Sequence, residues 1–197
     1  MKQPAGKSKD QPVMLFASKN AWASWLDKNQ ATSVGLWLRL AKKAAELESV
    51  TYAEALDVAL CYGWIDGQKK SFDQESWLQK FTPRGAKSIW SKINREKAQE
   101  LIEAGKMQPA GLQAIEKAKQ DGRWDAAYDS QSKATVPDDL QAELDRNPQA
   151  KAFFATLNSV NRYAILFRIQ TAKKVETRAR RIQHFIQMLE KNEKLHA

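Results

Sequence analysis

The chain has 197 residues, of which 43% are hydrophobic and 28% are charged, and this balance is typical of a folded globular protein. Its formal net charge of +9 favours anionic partners, although charge alone indicates no function. One cysteine excludes an internal disulfide, and one cysteine with two histidines is too few for a Cys- or His-rich metal site. We therefore expect no metal centre, and no motif indicates a cofactor.

The N-terminal segment is polar and contains only one short apolar run, Val13 to Ala17. That run is too short for the hydrophobic region of a signal peptide. No later stretch approaches the roughly 20 apolar residues that a membrane-spanning helix needs. We therefore predict a cytoplasmic protein without a membrane span.

In chain order, the first half alternates helical and extended patterns. Residues 1–12 are polar, with two prolines and a glycine, and predict a mobile tail. Ser18 is placed to cap a helix with an apolar stripe, and the alternating segment SVGLWLRL predicts a strand over residues 33–40. Thr51 and Glu54 have the spacing of a capping box, which predicts the start of a second helix.

Two more strands are predicted over residues 63–70 and 76–82, joined by the polar turn SFDQE. On the second strand, Trp77, Gln79 and Phe81 share a side. If the first strand is regular, one of its sides carries Trp64, Asp66, Gln68 and Lys70.

The remaining patterns are helical. One helix starts at Ser88 or Ser91 and ends at Gly105, and the next runs from Pro109 to Gly122. The segment DSQSKATVP, residues 129–137, is the best linker candidate. Helices are predicted after it over residues 138–145, from Asn147 and Pro148 onward, over residues 159–170 and over residues 174–191.

These patterns predict an α+β fold with a small antiparallel sheet and packed helices in the first half and an all-helical C-terminal part. The predicted organisation is a tail over residues 1–12, an α+β domain over residues 13–130, and a helical C-terminal domain over residues 131–197 that packs on it.

The hairpin and the segment after it combine aromatic side chains with a few polar groups, a mixture typical of small-molecule sites. The candidate ligand-binding residues are Trp64, Asp66, Arg84, Ser88, Trp90 and Asn94. The alternative is that the tryptophans belong to the core, that Asp66 satisfies a turn or an arginine, and that Arg84 is a surface residue.

No catalytic residue is predicted, because no pair of carboxylates stands out as an acid and a base. Cys61 ends an apolar helical stripe and is not favoured as a nucleophile, and His184 is interpreted as a structural helix residue. The sequence leaves open whether the protein is an enzyme.

Two basic runs, residues 80–97 and 173–181, could bind nucleic acid, with the tryptophan of the first run stacking on a base. No nucleic-acid-binding motif accompanies these runs, and scattered lysines usually form a solvated face. Nucleic acid is therefore an alternative partner and not the expected one.

Arg178 falls within the apolar face of the last helix, between Val175 and Ile182. Because a buried guanidinium without a partner is strongly unfavourable, we predict that it reaches a carboxylate or backbone carbonyl groups in the first half of the chain. The alternative is that its charged end extends into water.

Four segments occur in the order ALCYGWIDGQKKSFD, FTPRGAKSIWSKIN, LIEAGKMQPAGLQAIEKAKQDGRWDAAYD and TAKKVETRARRI. They resemble the signature segments of the YdeI/OmpD-associated family, also called bacteriocin-protection proteins, over roughly residues 15–190. The resemblance implies a role in bacterial tolerance of bacteriocins or cationic antimicrobial peptides, and it implies no reaction. It favours a non-enzymatic binding or stress-protection protein whose partner is an unknown protein or small molecule. The alternatives are a small-molecule-binding protein or enzyme that uses the Trp/Asp/Arg cleft, and nucleic-acid binding.

Overall fold

A computed structural model describes residues 11–196, so residues 1–10 of the predicted tail, and Ala197, lie outside the described residues. The chain forms two compact units. The first comprises the described residues up to Ser88 together with Asn94–Trp124, and the second comprises Ile89–Ile93 together with the described residues from Asp125 onward.

The first unit contains a sheet whose strands are β1 (Val13–Leu15), β2 (Leu36–Ala41), β3 (Trp64–Ser71) and β4 (Ser76–Pro83). Its helices are α1 (Lys19–Asn29), α2 (Tyr52–Cys61), most of α3 (Lys92–Glu103) and α4 (Pro109–Gln120). The second unit contains α5 (Asp138–Arg146), α6 (Pro148–Thr156), α7 (Ser159–Gln170) and α8 (Val175–Glu190). The predicted α+β class is confirmed. Between residues 11 and 196, none of the helices has the length and apolarity that crossing a membrane requires.

The strand order in the sheet is β1-β2-β4-β3. The β2–β4 and β3–β4 pairs are antiparallel, as predicted, whereas β1 pairs with β2 in parallel. The sequence does not predict β1, because three residues are too few to show an alternating pattern. A backbone hydrogen bond of 2.9 Å from Trp37 N–H to the carbonyl of Pro12 helps to hold this edge.

The sheet has an inner face that packs in the core and an outer face that is partly open to solvent, although Leu78 on the outer face is buried. Residues that pair directly across antiparallel strands lie on the same side of a sheet. Leu36 pairs with Phe81 and both are buried, so they define the inner face. Trp37 pairs with Lys80, and both are only half-buried, so they define the outer face.

The helix starts that capping residues predict are confirmed. Ser18 accepts a hydrogen bond from a backbone N–H in the first turn of α1, and Thr51 and Glu54 form the capping box of α2. Asn147 caps α6 in the same way, with Pro148 as the first helical residue. These local interactions satisfy N–H groups that a helix end leaves without partners.

Strand β3 is not regular, so the predicted pleat is wrong beyond Asp66. Asp66 pairs with Phe81 and Lys69 with Gln79, which means that three steps along β3 face two steps along β4. This β-bulge contains one extra residue, and it places Lys69 on the inner face and Lys70 on the outer face.

Gln79 holds the bulge in place. Its side chain is buried, with 3% exposed, and its Nε2 donates to the carbonyls of Gly67 at 2.8 Å and Gln68 at 3.3 Å. Backbone carbonyls in a bulge lack some of their ladder partners, and a side-chain amide replaces those partners here.

The second unit has an apolar core of its own, in which α8 contacts α5, α6 and α7. The fully buried members of this core include Leu140, Leu144, Ala150, Ile165, Ile169 and Leu189. The predicted linker, residues 129–137, contains neither helix nor strand. Its first residue, Asp129, is held by ion pairing to Lys92 at 2.7 Å and by hydrogen bonding to Gln170 at 3.0 Å.

We expect Gln79→Met to lower the free energy of unfolding by about 1–3 kcal/mol, because it keeps the side-chain length but removes the donor to the bulge carbonyls. Urea denaturation measures the change. Gln113→Met on the exposed surface of α4 is the control and should stay within about 0.5 kcal/mol of the wild type. Equal midpoints for the two variants would show that Gln79 does not stabilise the bulge.

Candidate functional site

Trp64, the first predicted site residue, is part of the aromatic core of the first unit. Its side chain is 1% exposed. Its ring makes edge contacts with Trp22 and Trp25 of α1, at centroid distances of 6.2 Å and 5.9 Å. A ring enclosed in this way offers no surface to a ligand.

Asp66 lies on the same side of β3 as Trp64 but has a different role. Its Oδ2 accepts a hydrogen bond of 2.8 Å from the hydroxyl of Tyr52, the first residue of α2. The ring of Tyr52 also contacts Trp77 of β4, with 5.9 Å between centroids. Asp66 therefore connects the sheet to α2.

The other four predicted site residues are divided between the units. Arg84, Ser88 and Asn94 belong to the first unit, and Trp90, which is 1% exposed, belongs to the second. The structure brings Arg84 and Ser88 together in the loop after β4, where Gly85 N–H donates to Ser88 Oγ at 3.0 Å. Of the six predicted residues, only Arg84 lines the cavity beside this loop.

That cavity, which we name the Arg84 cleft, is open to solvent and has a volume of about 360 Å³. Its size is within the range of small-ligand sites. The residues that line it are Arg84, Gly85, Ala86, Ala114, Lys117, Gln120, Asp121 and Arg123. The loop after β4 forms one wall, and α4 with the turn that follows it forms the other.

Arg84 is positioned by its backbone. Its N–H donates to the carbonyl of Gly63 at 2.9 Å, next to the start of β3, so the loop leaves β4 in a defined direction. The side-chain atoms Nε and Nη2 are buried although the residue as a whole is half-buried. A guanidinium placed like this has lost part of its hydration, which strengthens its attraction to an anion.

Arg123 is a second arginine of the cleft, and it is only 7% exposed. Its Nε donates to both carboxylate oxygens of Asp121, at 2.7 Å and 2.8 Å, and its Nη1 donates to the carbonyl of Ser88 at 2.8 Å. Arg123 thus joins the loop after β4 to the end of α4. Its positive charge is compensated by Asp121, so it mainly supports the shape of the cleft.

The cleft carries a positive charge, because three cationic side chains and one carboxylate line it. The cationic side chains are Arg84, Lys117 and Arg123, and the carboxylate is Asp121. Charges of one sign around a concave surface attract small ions of the opposite sign. The arrangement is suited to holding a phosphate- or carboxylate-bearing molecule.

The sequence named Arg84 as a candidate ligand-binding residue, but it did not indicate Lys117, Asp121 or Arg123, which also line the cleft. The glycine at position 122 does indicate the end of α4, and in the structure it has a positive φ of 72°. It indicates where the helix ends, but it cannot show that the residues on either side of it face a loop more than 30 positions earlier.

Cys61 is buried near the end of α2. Burial raises the pKa of its thiol, which disfavours the thiolate that a nucleophile needs. His184 contacts Phe185, with 5.6 Å between ring centroids. Neither observation supports a catalytic role for these residues.

Arg178 has a partner, but the prediction of a partner in the first half of the chain is wrong. Its Nε and Nη2 donate to the two oxygens of Asp139 in α5, at 2.6 Å and 2.8 Å. Its Nη1 donates to the carbonyl of Ile169 at the end of α7, at 3.0 Å. The helical pattern of α8 placed Arg178 on a packed face, but it could not show that α5 and α7 pack there. Arg178 therefore ties together three helices of the second unit.

Two family models match the chain. Residues 14–114 match the model described as Domain of unknown function (DUF8412), which is just over half of the chain, and the chain belongs to this family. Residues 133–192 match the model described as Bacteriocin-protection, YdeI or OmpD-Associated. No curated protein and no solved structure matches the chain.

The resemblance to the YdeI/OmpD-associated family is confirmed, but over a shorter part of the chain than predicted. Of the four segments that carry it, only TAKKVETRARRI lies within residues 133–192. The segments around the hairpin lie in the part of the chain that the first family model matches.

We expect Arg178→Ala to lower the free energy of unfolding by about 1–2 kcal/mol, through loss of a bidentate ion pair and a hydrogen bond to a carbonyl. The estimate is modest because the side chains of Arg178 and Asp139 are 28% and 46% exposed. Arg180→Ala changes an exposed arginine of the same helix and should stay within about 0.5 kcal/mol of the wild type. Equal urea midpoints for the two variants would contradict the role of Arg178.

The same ion pair should make stability depend on pH. The hydrogen bond from Arg178 holds the pKa of Asp139 below its ordinary value. A carboxyl with a lowered folded-state pKa stabilises the fold above its unfolded pKa of about 3.9, and this stabilisation is lost as the pH falls through the folded value. Asp139→Asn should thus be less stable than the wild type at neutral pH and approach it in acid. A difference that stays constant down to low pH would contradict this assignment.

Proposed function

We propose that this chain is a binding protein that contributes to bacterial tolerance of bacteriocins or cationic antimicrobial peptides. The observation that supports the proposal is the match of residues 133–192 to the bacteriocin-protection family. With a formal net charge of +9, the chain repels cationic peptides at long range. Direct binding of such a peptide is therefore disfavoured, and we propose instead that the protein protects by binding an anionic ligand.

Deletion of the gene tests the protective role. The deletion strain should show a lower minimum inhibitory concentration for cationic peptides or bacteriocins than its parent, and the wild-type gene on a plasmid should restore the parental value. A strain whose sensitivity is unchanged across a broad panel of peptides would contradict the proposal.

A second candidate function, binding of a small anion, is favoured by the Arg84 cleft. Three cationic side chains and one carboxylate line the cleft and give it an excess of positive charge, and the hydrogen bond from Arg123 to the carbonyl of Ser88 joins its two walls. A phosphate or carboxylate group of the ligand would lie near Arg84 and Lys117. The rest of the ligand would contact Ala86 on one wall and Ala114 on the other.

Thermal unfolding in the presence of inorganic phosphate, citrate or adenosine monophosphate tests this function. A ligand present at about 100 times its Kd stabilises the folded state by about 2.7 kcal/mol and so raises the melting temperature. Lys117→Gln should remove most of that rise. Lys119→Gln, which changes an exposed lysine of the same helix that does not line the cleft, should retain it. A rise of equal size in both variants, or none in the wild type with any of the three anions, would rule out the cleft as their site.

A further inference from the structure

The outer face of the sheet has an aromatic centre with cations over it. Trp37 of β2 is half-buried at the middle of this face. The ammonium of Lys70 lies over its ring at 4.2 Å from the centroid, and that of Lys80 at 5.7 Å. Both lysines therefore approach the π face of the indole, which is the side that carries its partial negative charge.

Further aromatic and cationic groups extend this face toward the β3–β4 turn. Arg39 lies on the same strand as Trp37, two residues away, and its guanidinium is 5.2 Å from the ring centroid of Phe72. Phe72 is 51% exposed. Asp73 pairs with Arg39 at 2.7 Å, so it compensates one charge and leaves the two lysines in excess.

The bulge in β3 is what places Lys70 here. In a regular strand Lys70 would point to the inner face, whereas the extra residue turns it to the outer face opposite Leu78. Both lysines therefore lie beside the same tryptophan because of a backbone feature that Gln79 supports from the other side of the sheet.

We propose that the outer face binds single-stranded nucleic acid, with a base stacked on Trp37 and the ammonium groups of Lys70 and Lys80 contacting phosphates. The lysine side chains are flexible, so they can move from the indole to a phosphate when a base takes their place. Aromatic side chains on which bases stack, combined with cations along the path of the backbone, bind single strands without sequence preference. This site is separate from the Arg84 cleft and does not rest on the function proposed for it.

The structure favours a nucleic acid over an anionic membrane as the partner of this face. Trp37 is held against the sheet with a ring face toward the lysines, and a half-buried ring cannot insert into a bilayer. Duplex DNA is disfavoured because its bases are already stacked and offer no free face to Trp37. Single strands provide both free bases and phosphates.

Fluorescence anisotropy with a labelled 20-nucleotide oligothymidylate tests the proposal. We expect binding by the full chain that weakens as salt rises. Each phosphate contact contributes about 0.7 to the slope of the logarithm of the binding constant against the logarithm of the salt concentration. The double variant Lys70→Gln/Lys80→Gln loses two such contacts and should bind about 25-fold more weakly at 0.1 M salt. Lys119→Gln is the matched control for a single substitution, because the ammonium of Lys119 also lies over a tryptophan, Trp124, at 5.8 Å. That control should leave the affinity within about twofold of the wild type.

Stacking is tested at Trp37 itself. Trp37→Leu keeps an apolar side chain but removes the ring, and it should weaken binding by about 5- to 150-fold, while Trp37→Tyr keeps a ring and should bind more tightly than Trp37→Leu. Circular dichroism melting shows whether both variants are folded. If Trp37→Leu is unfolded, the affinities of the lysine variants test the proposal instead.

Four results would overturn the proposal. The first is no anisotropy change in 0.05 M salt, and the second is an equal loss of affinity in Lys119→Gln and in the single Lys70→Gln and Lys80→Gln variants. The third is equal affinity for a duplex of the same length. The fourth is equal affinity of the folded Trp37→Leu and Trp37→Tyr variants. Sedimentation with phosphatidylserine vesicles that depends on Lys70 and Lys80, in the absence of oligonucleotide binding, would assign the face to a membrane.

Discussion

The first unit depends on the burial of one side chain, Trp22. Its side chain is fully buried, and its indole N–H donates to the carbonyl of Ala55 at 3.1 Å. Its ring contacts Trp64 of β3 and Phe81 of β4, so one residue of α1 holds α2 and two strands. A tryptophan buries about 150–250 Å², which at roughly 25 cal/mol per Å² corresponds to an upper limit of about 4–6 kcal/mol. The hydrogen bond matters because a buried N–H without an acceptor would offset much of that gain.

Because the inner face of the sheet packs around Trp22 in the core, ligands from solvent can reach only the loops and the outer face. Positive charge is found in both places but in different forms. In the Arg84 cleft the cations surround a concave space, and a carboxylate fixes the arginine that supports it. On the outer face the cations lie over an aromatic ring of the sheet. A concave site suits a compact anion, whereas an aromatic ring with cations on a sheet face suits an extended polymer.

The local features of the fold could be predicted from the sequence because local rules determine them. Alternation in LWLRL predicts β2, and the side chains of Ser18, Thr51 and Asn147 satisfy helix ends within a few residues of themselves. The same reasoning detects an aromatic and polar composition around the hairpin. It cannot distinguish a tryptophan that packs in a core from one that lines a ligand site.

The features that reasoning from the sequence missed depend on residues far apart in the chain. The side chain of Arg123 is positioned by the carbonyl of Ser88, and that of Arg178 by Asp139, which is 39 positions away. The bulge in β3 depends on the side chain of Gln79 in the partner strand. A residue pattern within one segment contains no information on such partners. Of the predicted ligand-binding residues, Arg84 lines the cleft, whereas Trp64 belongs to the core, and a role of these residues in ligand binding stays a prediction.

The bulge in β3 also determines where this strand can change its length. Gly67 and Gln68 together occupy the space of one residue in the ladder, so loss of one of them would restore a regular strand and leave Lys69 and Lys70 on their present faces. An insertion or deletion after Lys69 would instead exchange the faces of every residue up to the turn. In related chains, differences of one residue in the length of this hairpin should therefore concentrate at Gly67 and Gln68, where an alignment gap carries no structural cost to the outer face.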